Sequence, residues 1–149
     1  MSQSIENQPC PTCGHWANRS VSVDMLFIKH NKILLVKRKG ELFHGYWALP
    51  GGHIEYGQSA EETVRREARE ETGLKVISQQ FINLYTDPNR SPDEGITASY
   101  LVTFEGEPVA GDDAGEIRFF DLDKLPLPLA FDHEKLIKDY LEKDIKYSI

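Results

Sequence analysis

Three glutamates stand three and four positions apart in the run Arg65-Arg66-Glu67-Ala68-Arg69-Glu70-Glu71-Thr72-Gly73-Leu74. On a helix turning about 100° per residue, Glu67, Glu70 and Glu71 fall within roughly one quadrant. The same wheel sets Ala60, Val64 and Ala68 beside Glu67 and Glu71, so the carboxylates border the stripe that faces the protein body. A helix built for stability alone more often places Lys or Arg at the fourth position, because like charges at that spacing repel. Arg66, four residues before Glu70, offsets part of the repulsion. Hard oxygen donors packed this closely are what Mg2+ or Mn2+ requires, since these ions keep waters and bind a few carboxylates together with substrate phosphates. The alternative for the same residues is an acidic helix face wetted by solvent.

A second group with metal-ligand chemistry lies in Cys10-Pro11-Thr12-Cys13-Gly14-His15, which holds both cysteines of the chain. Two thiols three positions apart suit a zinc knuckle better than a disulfide framework, and His15 is a candidate third ligand. A closed tetrahedral Zn2+ site needs four ligands. A tail with a vestigial knuckle and a zinc shared across a dimer both stay open.

The carboxylates need a helix, and the sequence supplies one. Ser59-Ala60-Glu61-Glu62 has the form of a capping box, and helix-compatible residues run from it to Gly73, placed to end the helix in a left-handed turn. Upstream, Val21–Lys29 and Ile33–Arg38 are strand-like and flank the turn His30-Asn31-Lys32, a hairpin signal. Tyr46-Trp47-Ala48-Leu49-Pro50-Gly51-Gly52 ends in a proline and paired glycines, which predicts a loop with close backbone approach. Further strands are expected at about Lys75–Tyr85, Ile96–Phe104 and Ile117–Asp121, separated by turn-rich segments. A last helix fits Asp132 to about Ile145, with Asp132 as cap and Leu136, Ile137, Tyr140, Leu141 and Ile145 near one face. His44 and His133 read as surface or capping histidines. Helices packed on a mixed sheet, an α/β fold, are the economical arrangement.

The 149 residues make one domain's worth of chain, with residues 1–19 as a polar extension and residues 20–149 as the folded domain. With 40% hydrophobic and 28% charged residues, the composition is that of a globular protein able to bury a core without disulfides. Seventeen basic against 24 acidic residues leave a net charge of -7, which argues against nucleic-acid and membrane surfaces as partners. No long apolar run and no basic-then-apolar leader is visible, so the expected location is the cytoplasm.

The segment Gly52–Leu74 resembles the signature of the Nudix hydrolases: Gly, five residues, Glu, seven residues, then Arg-Glu-aliphatic-any-Glu-Glu-any-Gly-aliphatic. Gly52, Arg66, Glu67, Ala68, Glu70, Glu71, Gly73 and Leu74 stand in register over 23 residues. One position departs, where Gln58 replaces the first Glu, keeping an acceptor oxygen and losing the charge. The resemblance implies a Nudix-type α/β/α sandwich with a mixed β-sheet. It also implies that Glu67, Glu70 and Glu71, with the carbonyl of Gly52, hold divalent ions, Mg2+ or alternatively Mn2+, while Arg66 orients the glutamates. The implied reaction is hydrolysis of a nucleoside diphosphate linked to another moiety.

Outside that segment, Tyr85-Thr86-Asp87-Pro88-Asn89-Arg90-Ser91-Pro92 is similar to the loop of small bacterial and archaeal ADP-ribose pyrophosphatases, with Pro88 fourteen residues past Leu74. Asp93-Glu94 departs from those relatives. ADP-ribose or a related sugar nucleotide, giving two monophosphates, is therefore the leading substrate. A modified nucleoside triphosphate, or ADP-ribose sensed without cleavage, are the alternatives. Candidate catalytic residues are Glu70, Glu71 and Arg66, with Asp112 in Gly111–Glu116 as a further acid. Arg38 and Arg90 are candidates for the substrate phosphates, because a guanidinium fork matches phosphate oxygens. Many relatives of this kind pair as dimers that share the substrate pocket, so the resemblance leaves a homodimer possible.

Overall fold

Alternation along the strands sorts the apolar residues to two faces. In β1 (Val21–Lys29), Val23, Met25 and Phe27 face one way and Leu26 the other; in β2 (Lys32–Arg38), Leu34 opposes Ile33 and Leu35. These strands form the expected hairpin, and its two loop residues, His30 and Asn31, take positive φ angles of 52° and 61°. The computed structural model describes residues 9–16, 18–111 and 114–147, with side chains as far as 143.

The remaining strands are β3 (Trp47–Ala48), β4 (Gly51–His53), β5 (Lys75–Tyr85), β6 (Ile96–Glu105) and β7 (Ala114–Asp121). They form one mixed seven-stranded sheet in the order β3-β2-β1-β6-β5, with β4 paired to β1 and β7 to β2. One edge of β1 runs parallel to β6 from Val21 to Phe27. The other edge is divided: β4 pairs antiparallel with Ser22, Val23 and Asp24, while β2 pairs with Ile28 and Lys29. The divergence of β4 from β2 opens the sheet beside Asp24.

A helix closes each face. Val64 and Ala68 pack with Val23, Met25, Phe27, Leu34, Ala98, Tyr100 and Val102 on one side. Leu136 and Ile137 pack with Leu26, Ile33, Leu35, Leu49 and Leu129 on the other. Each such burial contributes about 1.5–3 kcal/mol, so a one-residue slip of β1 would bring the wrong set to each helix. The architecture is an α/β/α sandwich with a mixed sheet.

The segment expected as a loop at Tyr46–Gly52 carries the short strands β3 and β4, and the two helices also differ from the sequence expectation. The capping box is present, with the Glu62 N–H donating to Ser59 Oγ at 3.1 Å and the Ser59 N–H to the Glu62 carboxylate at 3.3 Å. The regular helix α1 (Ala60–Glu67) then widens into one π turn over Ala68–Thr72 before Gly73 ends it at φ 70°. The Thr72 hydroxyl bonds the Ala68 carbonyl and accepts the Leu74 N–H at 3.2 Å, which stabilises the wider turn. At the other helix, α2 (His133–Tyr147), the Asp132 side chain is drawn to Arg90 instead of capping. The Asp132 carbonyl accepts the Lys135 and Leu136 N–H groups. Among the described residues no helix is long and apolar enough to cross a membrane.

Candidate active site

Gly51 and Gly52 of β4 lie where no larger residue fits. A Cβ on Gly51 would come within 2.2 Å of the Val23 carbonyl oxygen and 2.5 Å of the Asp24 carboxylate; one on Gly52 would lie 2.2 Å from the Glu67 carboxyl carbon. The close backbone approach expected of the paired glycines is present. It lets two carboxylates reach adjacent residues of one short strand: Glu67 stands against Gly52, and Glu71 accepts the Gly51 N–H at 2.9 Å. The π turn gives the three glutamates different surroundings. Glu67 is 13% exposed and Glu70 55%, while Glu71 is partly buried.

Burial sets their proton affinities. It pushes Glu71 up to about 8; the Gly51 N–H opposes the rise, and Glu67 and Asp24 add repulsion. Burial also raises Glu67, against the favourable charge of Arg66 and with the repulsion of Glu70.

Arg66 is the hub of the cluster. Its Nη1 donates to Glu67 at 2.8 Å and to Glu70 at 3.2 Å, and lies 3.7 Å from Glu55. Its Nη2 donates to the His53 carbonyl at 3.0 Å, tying the end of β4 to α1. Burial works against its charge, but Glu67, Glu55 and Glu70 outweigh that and raise its affinity for the proton. Gln58 accepts the remaining donor, Arg66 Nε, at 3.1 Å and the Thr63 hydroxyl at 3.4 Å. The position that departs from the Nudix pattern therefore holds the arginine through a neutral oxygen.

Beside the glutamates is an open cleft lined by Asp24, Arg38, Gly51, Gly52, Glu71 and Phe131 among others. Asp24 is buried and accepts the Thr97 hydroxyl at 2.7 Å, with His133 Nε2 at 3.4 Å. Leu49 N–H donates to His133 Nδ1 at 3.0 Å, which leaves the ring proton on Nε2 facing Asp24. Burial raises the Asp24 carboxyl, yet His133, Thr97 and Arg90 outweigh it and hold the group below the usual carboxylate range. The sequence expectation of a surface or capping His133 is corrected: the ring is 3% exposed and belongs to this buried pair. Sequence reasoning passed over Asp24, although a lone acid in an apolar strand was its signal.

The two arginines expected to meet phosphate have different fates. Arg38 lines the cleft, donates through Nε to the Leu42 carbonyl at 2.8 Å, and lies over the Phe131 ring at 4.9 Å. Arg90 lines the same cleft, with much of its fork engaged inside the fold. Its fork donates to both Asp132 oxygens, at 2.8 and 3.0 Å, and to the Gly95 carbonyl at 2.9 Å, and its side chain is 7% exposed.

Asp112 and Asp113 lie outside the described residues. Gly111, just before them, packs on the π turn, with its N–H donating to the Glu71 carbonyl at 3.1 Å. Glu116 pairs with Arg118 at 3.0 Å and with Lys37 at 3.9 Å. The His15 ring stands edge-on to Tyr56 at 6.1 Å between centroids, beside the loop that carries Gln58. Among the described residues, no three His, Cys, Asp or Glu side chains converge as a ready metal cage, at the glutamates or at Cys10, Cys13 and His15. The chemistry of Glu67 and Glu71 nevertheless fits a divalent cation: both are hard oxygen donors, Glu71 is disfavoured as an anion by burial, and Glu67 shares the one Arg66 guanidinium with Glu70 and Glu55.

A NUDIX domain profile matches residues 18–140. The chain belongs to the Nudix family. This Nudix chain is 48% identical over 124 residues to the ADP-ribose pyrophosphatase of Methanocaldococcus jannaschii, covering 82% of its own length and 73% of that protein's. Among solved structures, a MutT/nudix family protein from Enterococcus faecalis superposes with a TM-score of 0.78 at 32% identity, over 89% of this chain and 64% of that one. The chain thus spans slightly less than two thirds of that neighbour's length. The NUDIX domain of Shewanella oneidensis NrtR, determined in complex with ADP ribose, gives a TM-score of 0.74 at 26% identity, over 86% of this chain and 90% of that one. By sequence and fold the protein is a Nudix hydrolase, and its signature residues are those gathered around Arg66.

Proposed function

We propose that this Nudix hydrolase splits ADP-ribose, or a related sugar nucleotide, into two monophosphates in a Mg2+-dependent reaction in the cytoplasm. The observation that carries this reading is the seating of Glu67 and Glu71 on the Gly51-Gly52 strand at the lip of the Asp24 cleft. The similarity to the M. jannaschii pyrophosphatase and to the ADP-ribose-bound NUDIX domain supports the choice of substrate.

Glu67, Glu71 and the Gly52 carbonyl are the groups that would hold the ion, Mg2+ or Mn2+, with Glu70 beside them. When bound, such an ion neutralises the diphosphate and polarises a phosphoryl oxygen. Arg66 fixes Glu67 and Glu70 relative to each other and to β4. Arg38 and Phe131 form a cationic and aromatic wall of the cleft, suited to a phosphate and a nucleobase face. Water attacks one phosphorus, the bridging P–O bond breaks, and one monophosphate departs as the leaving group. Glu70, the most exposed of the three glutamates, takes the proton of the attacking water.

The test is product analysis with Mg2+ against ADP-ribose, other sugar nucleotides, dinucleotides and nucleoside triphosphates. AMP and ribose 5-phosphate in equal amounts are expected from ADP-ribose, with kcat reduced by about 10²–10⁴-fold in Glu70→Gln, the usual worth of a general base. Preference for a triphosphate would move the chain to nucleotide sanitation. Binding of ADP-ribose with no turnover of any substrate would make it a sensor.

A further inference from the structure

The Cys10–Cys13 turn is left unused by the hydrolase site, and its backbone is organised. Pro9 and Trp16 form an antiparallel bridge. Inside it the Cys10 N–H donates to the His15 carbonyl at 2.7 Å, and the Gly14 N–H donates to the Cys10 carbonyl at 2.8 Å. Gly14 has φ 75°, a conformation that favours glycine over residues with a Cβ. The turn folds Cys13 back onto Cys10. The Cys10 sulfur meets the Cys13 side chain and the backbone N–H groups of Cys13 and Thr12, an arrangement that favours a thiolate and resembles a knuckle around a metal. Both cysteines are free thiols, with Cys10 partly buried and Cys13 exposed.

The ligand count decides what such a turn can hold. A closed structural zinc site takes four ligands. The chain has two cysteines, and no third His, Cys, Asp or Glu side chain among the described residues converges on them. His15 is turned against Tyr56. Around the turn are exposed aromatic surfaces: Trp16 is 51% exposed and Tyr56 93%. Two such turns brought face to face would supply four thiolates and cover aromatic rings from both chains.

We propose that Cys10 and Cys13 are half of a tetrathiolate zinc site completed by the same two cysteines of a second copy of this chain, so that zinc joins two hydrolase domains. The site is incomplete in one chain and closed only in the pair.

Zinc content and mass in solution test this on the full chain, by elemental analysis and sedimentation of protein purified without chelator. One zinc per two chains and a dimer are expected. A zinc-selective chelator should give monomers, and Co2+ in place of zinc should show the charge-transfer and d–d bands of four thiolates. Cys10→Ser and Cys13→Ser should each abolish the bound zinc and the zinc-dependent pairing, whereas His15→Ala should keep both. One zinc per chain, no bound zinc, a dimer that survives chelation, metal loss in His15→Ala, or a Cys10–Cys13 disulfide in the purified protein would overturn the assignment. Turnover by the monomeric variants is read separately, so failure of the zinc site leaves the hydrolase reading intact.

Discussion

Glu71 is held where a carboxylate is disfavoured, and that makes its cost measurable. Its proton affinity rises from an ordinary 4.5 to about 8, chiefly through burial. The folded chain therefore binds this proton more tightly than the unfolded chain. The contribution of this one group to stability without metal is greatest below about 4.5 and is lost as pH rises through about 8. The loss at the upper end is on the order of a few kcal/mol. Glu71→Gln removes the ionisation while keeping an acceptor for the Gly51 N–H. In metal-free thermal melts the variant should match the parent near pH 4.5 and exceed it near pH 8. Saturating Mg2+ should narrow the difference at the higher pH, and equal melting curves across the range would refute the account. Gln58 offers a second test at the same scale. Because Gln58 accepts Arg66 Nε, Gln58→Glu turns a neutral bond into an ion pair partly screened by solvent. Stability should rise by at most about 1 kcal/mol. The Mg2+ concentration giving half-maximal activity should stay unchanged; a large shift would place residue 58 on the ion itself.

At the scale of elements, the capping box and the π turn belong to one helical segment and serve different ends. Ser59→Ala removes the cap and should cost about 1 kcal/mol of stability with kcat/KM little altered. Thr72→Val keeps the shape of the side chain but breaks its bonds to the Ala68 carbonyl and Leu74 N–H. It should cost about 1–3 kcal/mol and lower kcat at least about tenfold, because the turn that aims Glu70 and Glu71 loses its clasp. Melting curves and kinetics on both variants separate the roles; equal effects on kcat would deny the π turn a positioning function. The contrast also marks what could be read in the sequence. The cap, the hairpin, the strand order along the chain and the glycine stop are local patterns, and the signature of Gly52, Arg66 and the glutamates is a fixed spacing. The π turn was not legible, because a uniform 100° wheel has no place for the extra residue that Thr72 accommodates. The His133–Asp24 pair joins positions far apart in the chain, and the strand pattern showed only that Asp24 was an acid among apolar neighbours.

Across the whole molecule, the cleft lies where β4 leaves β2, and its floor is tied to α2 by long-range polar contacts. Arg90 is the clearest of these ties. It joins the loop after β5 to the start of α2 through Asp132 and to the approach to β6 through the Gly95 carbonyl. Its position in a proline-rich loop similar to that of ADP-ribose pyrophosphatases suggested phosphate binding, but each of its three nitrogens already donates a hydrogen bond within the fold. A structural arginine and a substrate arginine fail differently when replaced. Arg90→Ala leaves Asp132 without its buried partner, and removing one side of such a pair typically costs about 3–5 kcal/mol. The expected result is a large fall in melting temperature that ADP-ribose does not rescue more than it stabilises the parent. At a temperature where the variant remains folded, KM should change by no more than a few fold. A phosphate-binding arginine would give the reverse: an almost unchanged melting temperature without ligand and a KM increase of about tenfold or more, since a charged hydrogen bond is worth about 1.5–3 kcal/mol. Asp132→Asn provides the matching control. It weakens the same tie from the helix side without removing any cation from the cleft, so it should destabilise while leaving KM close to that of the parent.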